Sequence, residues 1–275
     1  MLTLPRGLSP AELSAVVDLE RRVLAVDGGR LKLELPTLRA RCGERCEDVL
    51  AWQDDRLVGF LGTYAFGGAS VELAGMVDPQ VRRRGVGSAL LTAGLELSGG
   101  AGLLVVPRSS CAGAGFALAR GGGLSHSEHA LVLTGPAASG PADPDLSLRV
   151  ARPEDVGVVT EMLAAGFGSP PDPAQVAARL DGTQVAERDG GVVAALRVEH
   201  DGDTANVYGF VVAPALQGRG IGRDVLRRVC QDQTAHGARR VGLEVATLNE
   251  RALGLYTSLG FVPVSTEDYY AVAAG

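Results

Sequence analysis

A chain of 275 residues is long for one ordinary domain and comfortable for two, and at 46% hydrophobic and 21% charged it holds enough apolar side chain for two cores. Its formal net charge of −6 disfavours nucleic acid as a partner. No apolar run approaches the roughly 20 residues that span a bilayer, and the opening MLTLPRGLSPAEL lacks the charged start and long apolar stretch of a signal peptide, so no membrane partner and a cytoplasmic location are expected.

Lys32 is the only lysine, which leaves the motif-bearing segments without a Schiff-base or P-loop candidate. Cys42 and Cys46 stand four apart, as on one helix face, while Cys111 and Cys230 are isolated. With no histidine or second pair nearby, the four read as reduced thiols, and no metal is expected. From Val77 the sequence VDPQVRRRGVGSALL carries a glycine turn, Arg82 to Ser88. The stretch TGPAASGPADPD, Thr134 to Asp145, is rich in Pro, Gly and Ala without apolar periodicity, as an interdomain linker is. The expected division is a domain over 1–135, a linker over 136–145 and a domain over 146–275.

In the second half, LSLRVA is a first strand and PEDVGVVTEMLAAGF a helix by its apolar spacing. Residues 183–214 read as three antiparallel strands, with turns at Arg188 to Gly191 and His200 to Asp203. GIGRDVLRRVCQDQTAHGA places Ile221, Val225, Leu226, Val229 and Cys230 on one helical stripe. VGLEVAT is then a strand, NERALGLYTSLG a helix closed by Gly260, and a last strand runs through Tyr269 and Tyr270. VDPQVRRRGVGSALL and VAPALQGRGIGRDVL superpose without a gap, pairing Pro79 with Pro214, Gly85 with Gly220 and Gly87 with Gly222, each 135 apart. The expected fold is therefore two tandem copies of one α/β (α+β) domain, each a mixed, mostly antiparallel central sheet flanked by helices.

QGRGIG, Gln217 to Gly222, lies between a Val/Phe-rich strand and an amphipathic helix. There a helix N-terminus offers unpaired N–H groups and the positive end of its dipole, a ready seat for a pyrophosphate. G-x-G-x-x-G counted from Gly220 ends on Val225, and from Gly85 on Leu90, so neither turn is a dinucleotide fingerprint.

The spacing Gln217-x-x-Gly220-x-Gly222 after a strand ending VVAP, followed by LEVATLNERALGLYTSLGF, resembles the GCN5-related N-acetyltransferase (GNAT) superfamily. The closing motif is similar to that of bacterial ribosomal-protein-alanine N-acetyltransferases, and the double-domain layout to mycothiol synthase. The resemblance implies acetyl-CoA as cosubstrate. Phe210, Val211 and Val212 would present backbone groups to its acetyl and pantetheine parts, Gln217, Gly218, Arg219, Gly220, Ile221, Gly222 and Arg223 would wrap the pyrophosphate, and Asn249 would contact the cofactor arm. Tyr256 matches the family's general acid, and Glu244 the carboxylate that serves the ribosomal-protein enzymes as base. One departure stands out: mycothiol synthases carry a glutamate just before the Val-Tyr of this strand, and this chain has Asn206.

The chemistry suits those residue types. A carboxylate takes the amine proton, backbone N–H groups hold an oxyanion, and a phenol of reference pKa about 10 faces a leaving thiolate whose acid is roughly 8.5. A strand–turn–helix from Glu244 to Tyr256 is expected to bring both to one cleft; Glu199 and His200 are the other candidates for the base. In the first half, LARGGGL aligned with LYTSLGF puts Ala119 opposite Tyr256, and PRSSCAGAG offers no counterpart of Asn249. That copy keeps Arg82, Arg83, Arg84, Gly85, Val86, Gly87 and Ser88 as a candidate second coenzyme A site but lacks the acid, so it is expected to be catalytically degenerate. The expected acceptor is the primary amine of a small molecule or a peptide N-terminus. The alternative, of a different class, is a non-catalytic acyl-CoA-binding or sensing protein. Apolar helix faces serve a core and an interface equally well, so the sequence assigns no oligomeric state.

Overall fold

The computed structural model describes residues 1–41, 43–65, 70–168 and 170–274; Cys42 lies outside them. In chain order the elements are β1 (Leu2–Thr3), α1 (Pro10–Asp27), α2 (Leu35–Ala40), β2 (Asp48–Gln53), β3 (Arg56–Tyr64), β4 (Glu72–Val77), α3 (Val86–Leu97), β5 (Ala101–Pro107), α4 (Cys111–Ala119), β6 (Gly123–Leu133), β7 (Ser147–Val150), α5 (Val156–Phe167), α6 (Pro173–Ala177), β8 (Thr183–Arg188), β9 (Gly191–Asp201), β10 (Thr204–Val212), α7 (Ile221–Ala235), β11 (Arg240–Ala246), α8 (Glu250–Ser258) and β12 (Val262–Ala273). No helix among the described residues is long and apolar enough to cross a membrane.

Two compact units emerge, and they exchange segments. The first comprises residues 1–65, 70–128 and 265–274, the second 129–264. A cut at 136–145 assigns 129–135 to the first domain and 265–274 to the second, whereas the contacts group them the other way. The exchange follows from pairing: Glu267 to Ala273 of β12 lie antiparallel to Pro107 to Ala101 of β5, and Tyr270 and Val272 join the core that α3 covers.

In the first unit the strand order is β1-β2-β3-β4-β5-β12. The helix α1 begins with a capping box, Ser9 and Glu12 around Pro10, and ends at Gly28 with φ +65°. Its Val16, Leu19 and Val23 pack on Phe60, Ala74 and Met76, while Leu90, Leu91 and Leu95 of α3 cover Leu61, Leu73 and Leu104 on the other side. The second unit repeats this plan in the order β6-β11-β10-β9-β8-β7. Here α5 and α6 cover Val185, Ala195 and Val211. The α7 stripe of Ile221, Val225, Leu226, Val229 and Cys230, each 2% exposed or less, packs with Val207 and Leu243. The β8–β9 hairpin turns at Asp189 and Gly190, φ +52° and +77°, the left-handed pair that matches strand twist. Sequence periodicity missed the one-and-a-half-turn α6, although Asp172 capping Ala174 N–H before Pro173 is a readable start signal.

The Thr134 to Asp145 stretch is a strap held on the second unit. Ala137 is buried in the α7-side core, Ala138 N–H donates to Leu259 O at 3.0 Å, and Asp143 N–H donates to Asp224 Oδ2 at 3.0 Å. Arg227 donates to Pro141 O, and Arg228 to Asp143 O and Leu146 O at 2.6 and 2.7 Å. A segment without apolar periodicity is thus fixed through its backbone polar groups, which need partners once covered. Burial alone would raise the Asp224 carboxyl; Arg228 and the Asp143 N–H more than offset that and hold it below the ordinary range. Asp224→Ala leaves two arginines unneutralised and should lower the unfolding free energy by about 3 kcal/mol. Because the folded pKa is depressed, the carboxylate's contribution is present above about pH 4 and declines as pH falls further. Denaturant unfolding of wild type and variant across that window checks both points.

Candidate active site

β10 and β11 run parallel from Thr204↔Arg240 to Val207↔Leu243 and then part, although the strands continue to Val212 and Ala246. A one-residue bulge on β10 helps to part them: Leu196 of β9 faces both Gly209 and Phe210, between Tyr208↔Arg197 and Val211↔Ala195. Gly209 sits at φ +58°, where a Cβ would lie 3.2 Å from Leu163 of α5. Beyond the bulge, Val211 turns to the α5 side, while Phe210 and Val212 pack on the α7 side. Strand ends that part in this way leave backbone groups facing an opening.

Below the opening lies the glycine loop. A 3₁₀ turn, Pro214–Leu216, leads to Gly218 and Gly220 at φ +80° and +84°. Gly220 caps α7 without a side-chain acceptor, so the first-turn N–H groups stay open to an anion. Arg219 and Arg223 are exposed beside them. Two loop residues work on the frame instead. Gln217 donates to Val212 O at 3.1 Å and accepts from Arg251 of α8. Gly222 is closely packed, since a Cβ there would lie 3.3 Å from Val212 and 3.6 Å from Leu255 and Phe210, and Ile221 is core.

Tyr256 and Glu244 come to the parting strands from opposite faces. Tyr256, 7% exposed, shares the α7-side core with Leu243, Val245, Phe210 and Val212, its ring 6.1 Å from that of Phe261. Burial pushes its phenol up to about 12. Glu244 alternates with Leu243 and Val245 and therefore lies on the α5 side of β11, half-buried. On that side are also Asn206 and Tyr208 of β10 and Arg197 and Glu199 of β9. Asn206 pairs across with Glu199 and Tyr208 with Arg197; Arg197 forms an ion pair with Glu199 and lies 4.7 Å from the Tyr208 ring centre. The buried Gly242 of β11 makes room for Asn206, whose Oδ1 would be 2.6 Å from a Cβ there. This polar face, Arg197 and Tyr208 included, is the part sequence reasoning missed; the alternation of Arg197 with Glu199 and of Asn206 with Tyr208 was its signal. His200 belongs to the other face, 2.8 Å from Gln233 of α7. Asn249 caps α8, its Oδ1 accepting Ala252 N–H at 3.1 Å.

The first unit has the same frame with different chemistry. β4 and β5 pair in parallel from Glu72↔Leu103 to Ala74↔Val105 and then part. Gly85 caps α3 at φ +86°, again without a side-chain acceptor, and a Cβ on Gly87 would lie 3.4 Å from Phe116. Arg83 takes the left-handed conformation, φ +64°, that Gly218 supplies in the other copy, and Arg84 is exposed. Arg82 is tied down: its Nε donates to Val77 O as Gln217 does to Val212 O, and both Nη atoms bind Asp27 at 2.8 Å. Arg120 lies over the Phe116 ring and donates to Ser88. Ser110 caps α4 as Asn249 caps α8. Both helices have nine residues, and Gly122 N–H donates to Ala117 O as Phe261 N–H does to Tyr256 O. Ala117, not Ala119, therefore stands in the place of Tyr256, because the turn after the helix aligns two residues away from the ungapped match. Neither alanine carries a hydroxyl.

The sequence profile of the Acetyltransferase (GNAT) family matches residues 19–107 and 161–261. The chain belongs to that family. With it, the chain is an acetyl-CoA-dependent N-acetyltransferase built from two GNAT copies. It is 30% identical to a mycothiol acetyltransferase of Kineococcus radiotolerans over 98% of this chain and 95% of that protein. Over 26% of its length it is 35% identical to half of a ribosomal-protein-alanine N-acetyltransferase of Salmonella typhimurium. A GCN5-related N-acetyltransferase from Sphaerobacter thermophilus shares the fold, with TM-score 0.81 at 18% identity over 99% of this chain and 95% of that one. The open helix N-terminus, the positive-φ glycines and the parted strands fit a pyrophosphate with a thioester arm.

With its folded pKa near 12, above the reference value of about 10, Tyr256 should remain a phenol throughout the neutral range. Folding stability from that shift is complete below pH 10 and is lost as pH rises toward 12. Ultraviolet titration should show, in wild type and not in Tyr256→Phe, a tyrosine that ionises on the alkaline side of the ordinary range.

Proposed function

We propose that the second unit transfers the acetyl group of acetyl-CoA to the primary amine of a small molecule or a peptide N-terminus, with Tyr256 as general acid and Glu244 as base. Acetyl-CoA supplies the activated acetyl group. The N–H groups of 218–223, with Arg219 and Arg223, hold its pyrophosphate, and the backbone of Phe210 to Val212 lines the arm. The amine approaches from the α5 side, where Glu244 accepts its proton and Asn206, Tyr208 and Glu199 surround it with acceptors. From the α7 side, Tyr256 donates a hydrogen bond to the leaving sulfur and passes it the proton as charge develops there, a transfer that is uphill for a phenol near 12 and that poor solvation of the thiolate offsets.

The observation that carries this reading is the buried phenol packed with the residues that border the strand opening in the second unit and replaced by Ala117 in the first. The first copy, over 1–135, is then a catalytically degenerate domain that keeps a candidate coenzyme A loop at 82–88. Full-length similarity to a mycothiol acetyltransferase supports a small-molecule amine, and the shorter match to a ribosomal-protein-alanine enzyme supports a peptide N-terminus. Asn206 at the glutamate position distinguishes the base from that of the mycothiol enzymes. The reading places the protein in the cytoplasm, where acetyl-CoA is available.

Acetyl transfer from acetyl-CoA to a panel of amines and peptides tests it. Glu244→Gln should lower kcat/KM about 100-fold, whereas Glu199→Gln should leave it near the wild-type value. A Gly85→Val/Gly87→Val variant should retain turnover. Tight coenzyme A binding with no amine acetylated would instead mark an acyl-CoA sensor.

A further inference from the structure

In the first unit, charged side chains gather around the chain's only lysine. Lys32 lies between α1 and α2, its side chain 7% exposed. Its Nζ donates to Tyr269 Oη at 2.8 Å and stands 3.2 Å from Glu72 Oε2 and 3.9 Å from Glu128 Oε2. The same ammonium is 5.3 Å from the centre of the Tyr269 ring. Tyr269 in turn donates to Glu128 Oε2 at 2.7 Å, and His126 stacks on its ring at 4.3 Å. Two carboxylates and the Tyr269 phenol thus surround one ammonium. That set matches the charge, the three donors and the polarising power of a primary alkylammonium.

The place of this cluster in the fold gives it meaning. On β3 and β9, Gly59 and Tyr64 correspond to Ala194 and Glu199 at the 135-residue spacing of the repeat. Across from them, Gly59 pairs with Val77 and Tyr64 with Glu72, while Ala194 pairs with Val212 and Glu199 with Asn206. Glu72 therefore stands where Asn206 stands, and the extra residue of the β10 bulge absorbs the difference in count. Faces agree as well: Glu72 alternates with Leu73 and shares the α1 side of β4 with Ala74 and Met76, as Asn206 shares the α5 side of β10 with Tyr208. The ungapped comparison sets Glu72 against Val207 and hides this.

We propose that Glu72, Glu128 and Tyr269 form a seat for a primary alkylammonium at the acceptor position of the first unit, and that Lys32 fills it in cis. The word acceptor rests on the face assigned to the amine in the second unit; the seat rests on the distances around Lys32. An amine site closed by the chain's own side chain, in the copy that lacks the phenol, accounts for a lysine kept in an otherwise arginine-only protein.

Removing the side chain should open the seat. Thermal unfolding of the full chain carrying Lys32→Ala is measured in ethylammonium chloride and, at equal concentration, in tetramethylammonium chloride, which has no N–H to donate. The midpoint should rise by several degrees more in ethylammonium, and Lys32→Ala/Glu72→Gln should lose that difference. Equal responses to the two salts, or a difference that survives Glu72→Gln, would overturn the proposal. If Lys32→Ala does not fold, Lys32→Met keeps the volume and removes the charge: its midpoint should fall below wild type and recover when Glu72→Gln is added, and a midpoint equal to wild type would sink the idea. The readout is unfolding and not turnover, so its failure is distinct from failure of the second-unit assignment.

Discussion

Both units depend on a parallel strand pair that stops early. Three register pairs join β4 to β5 and four join β10 to β11 before each pair parts. A parallel ladder left unfinished inside a sheet would expose unpaired backbone groups, so the structure must place something in the gap. The helix that follows the first strand of each pair begins at a glycine with φ near +85° and no capping side chain. An opening lined by strand edges and a helix N-terminus free of competing acceptors come from the same short segment, and this is what lets one fold hold a long molecule with an anionic head.

Duplication kept that frame and let the chemistry diverge. Val77 and Val212 each accept a side-chain hydrogen bond from the loop beyond, one from Arg82 and the other from Gln217. Ser110 and Asn249 each cap the last helix of the motif. The chemical differences between the copies gather at the opening. The second has a bulge, a buried phenol and an acidic strand face; the first has a regular strand, an alanine and a carboxylate already engaged with Lys32. A frame built from backbone geometry survives substitution more readily than a reaction centre, because most side chains tolerate the same φ and ψ while only a phenol supplies a phenol.

Much of this was legible in the sequence for physical reasons. The repeat, the α7 stripe, the hairpin at Asp189 and Gly190 and the glycine loops all announce themselves through local rules of period, turn chemistry and positive φ. Three features needed coordinates. Residues 265–274 join the first unit through β5, a pairing 160 residues distant that no local pattern encodes. The strap over 134–145 looks like a free linker because its anchors are the buried Asp224 and Arg227 and the half-buried Arg228 of α7, which read as an ordinary polar helix face. A one-residue bulge and a two-residue change in the turn after the last helix shift the correspondence between copies, so an ungapped comparison sets Ala119 instead of Ala117 opposite Tyr256 and Val207 instead of Asn206 opposite Glu72. The loop residues Gln217, Gly222 and Arg82 show the limit from the other side: the motif is real, but the Gln217 and Arg82 side chains brace the frame, and Gly222 serves its close packing.

In the proposed reaction a single hydroxyl, on Tyr256, is the acid, and the coenzyme A cradle is built mainly from backbone. Steady-state acetyl transfer by wild type and Tyr256→Phe, with coenzyme A affinity measured on the same samples, tests it most directly. Without the hydroxyl, kcat should fall about 100-fold or more while coenzyme A binds as before. Full turnover without the hydroxyl, or loss of binding together with activity, would contradict it.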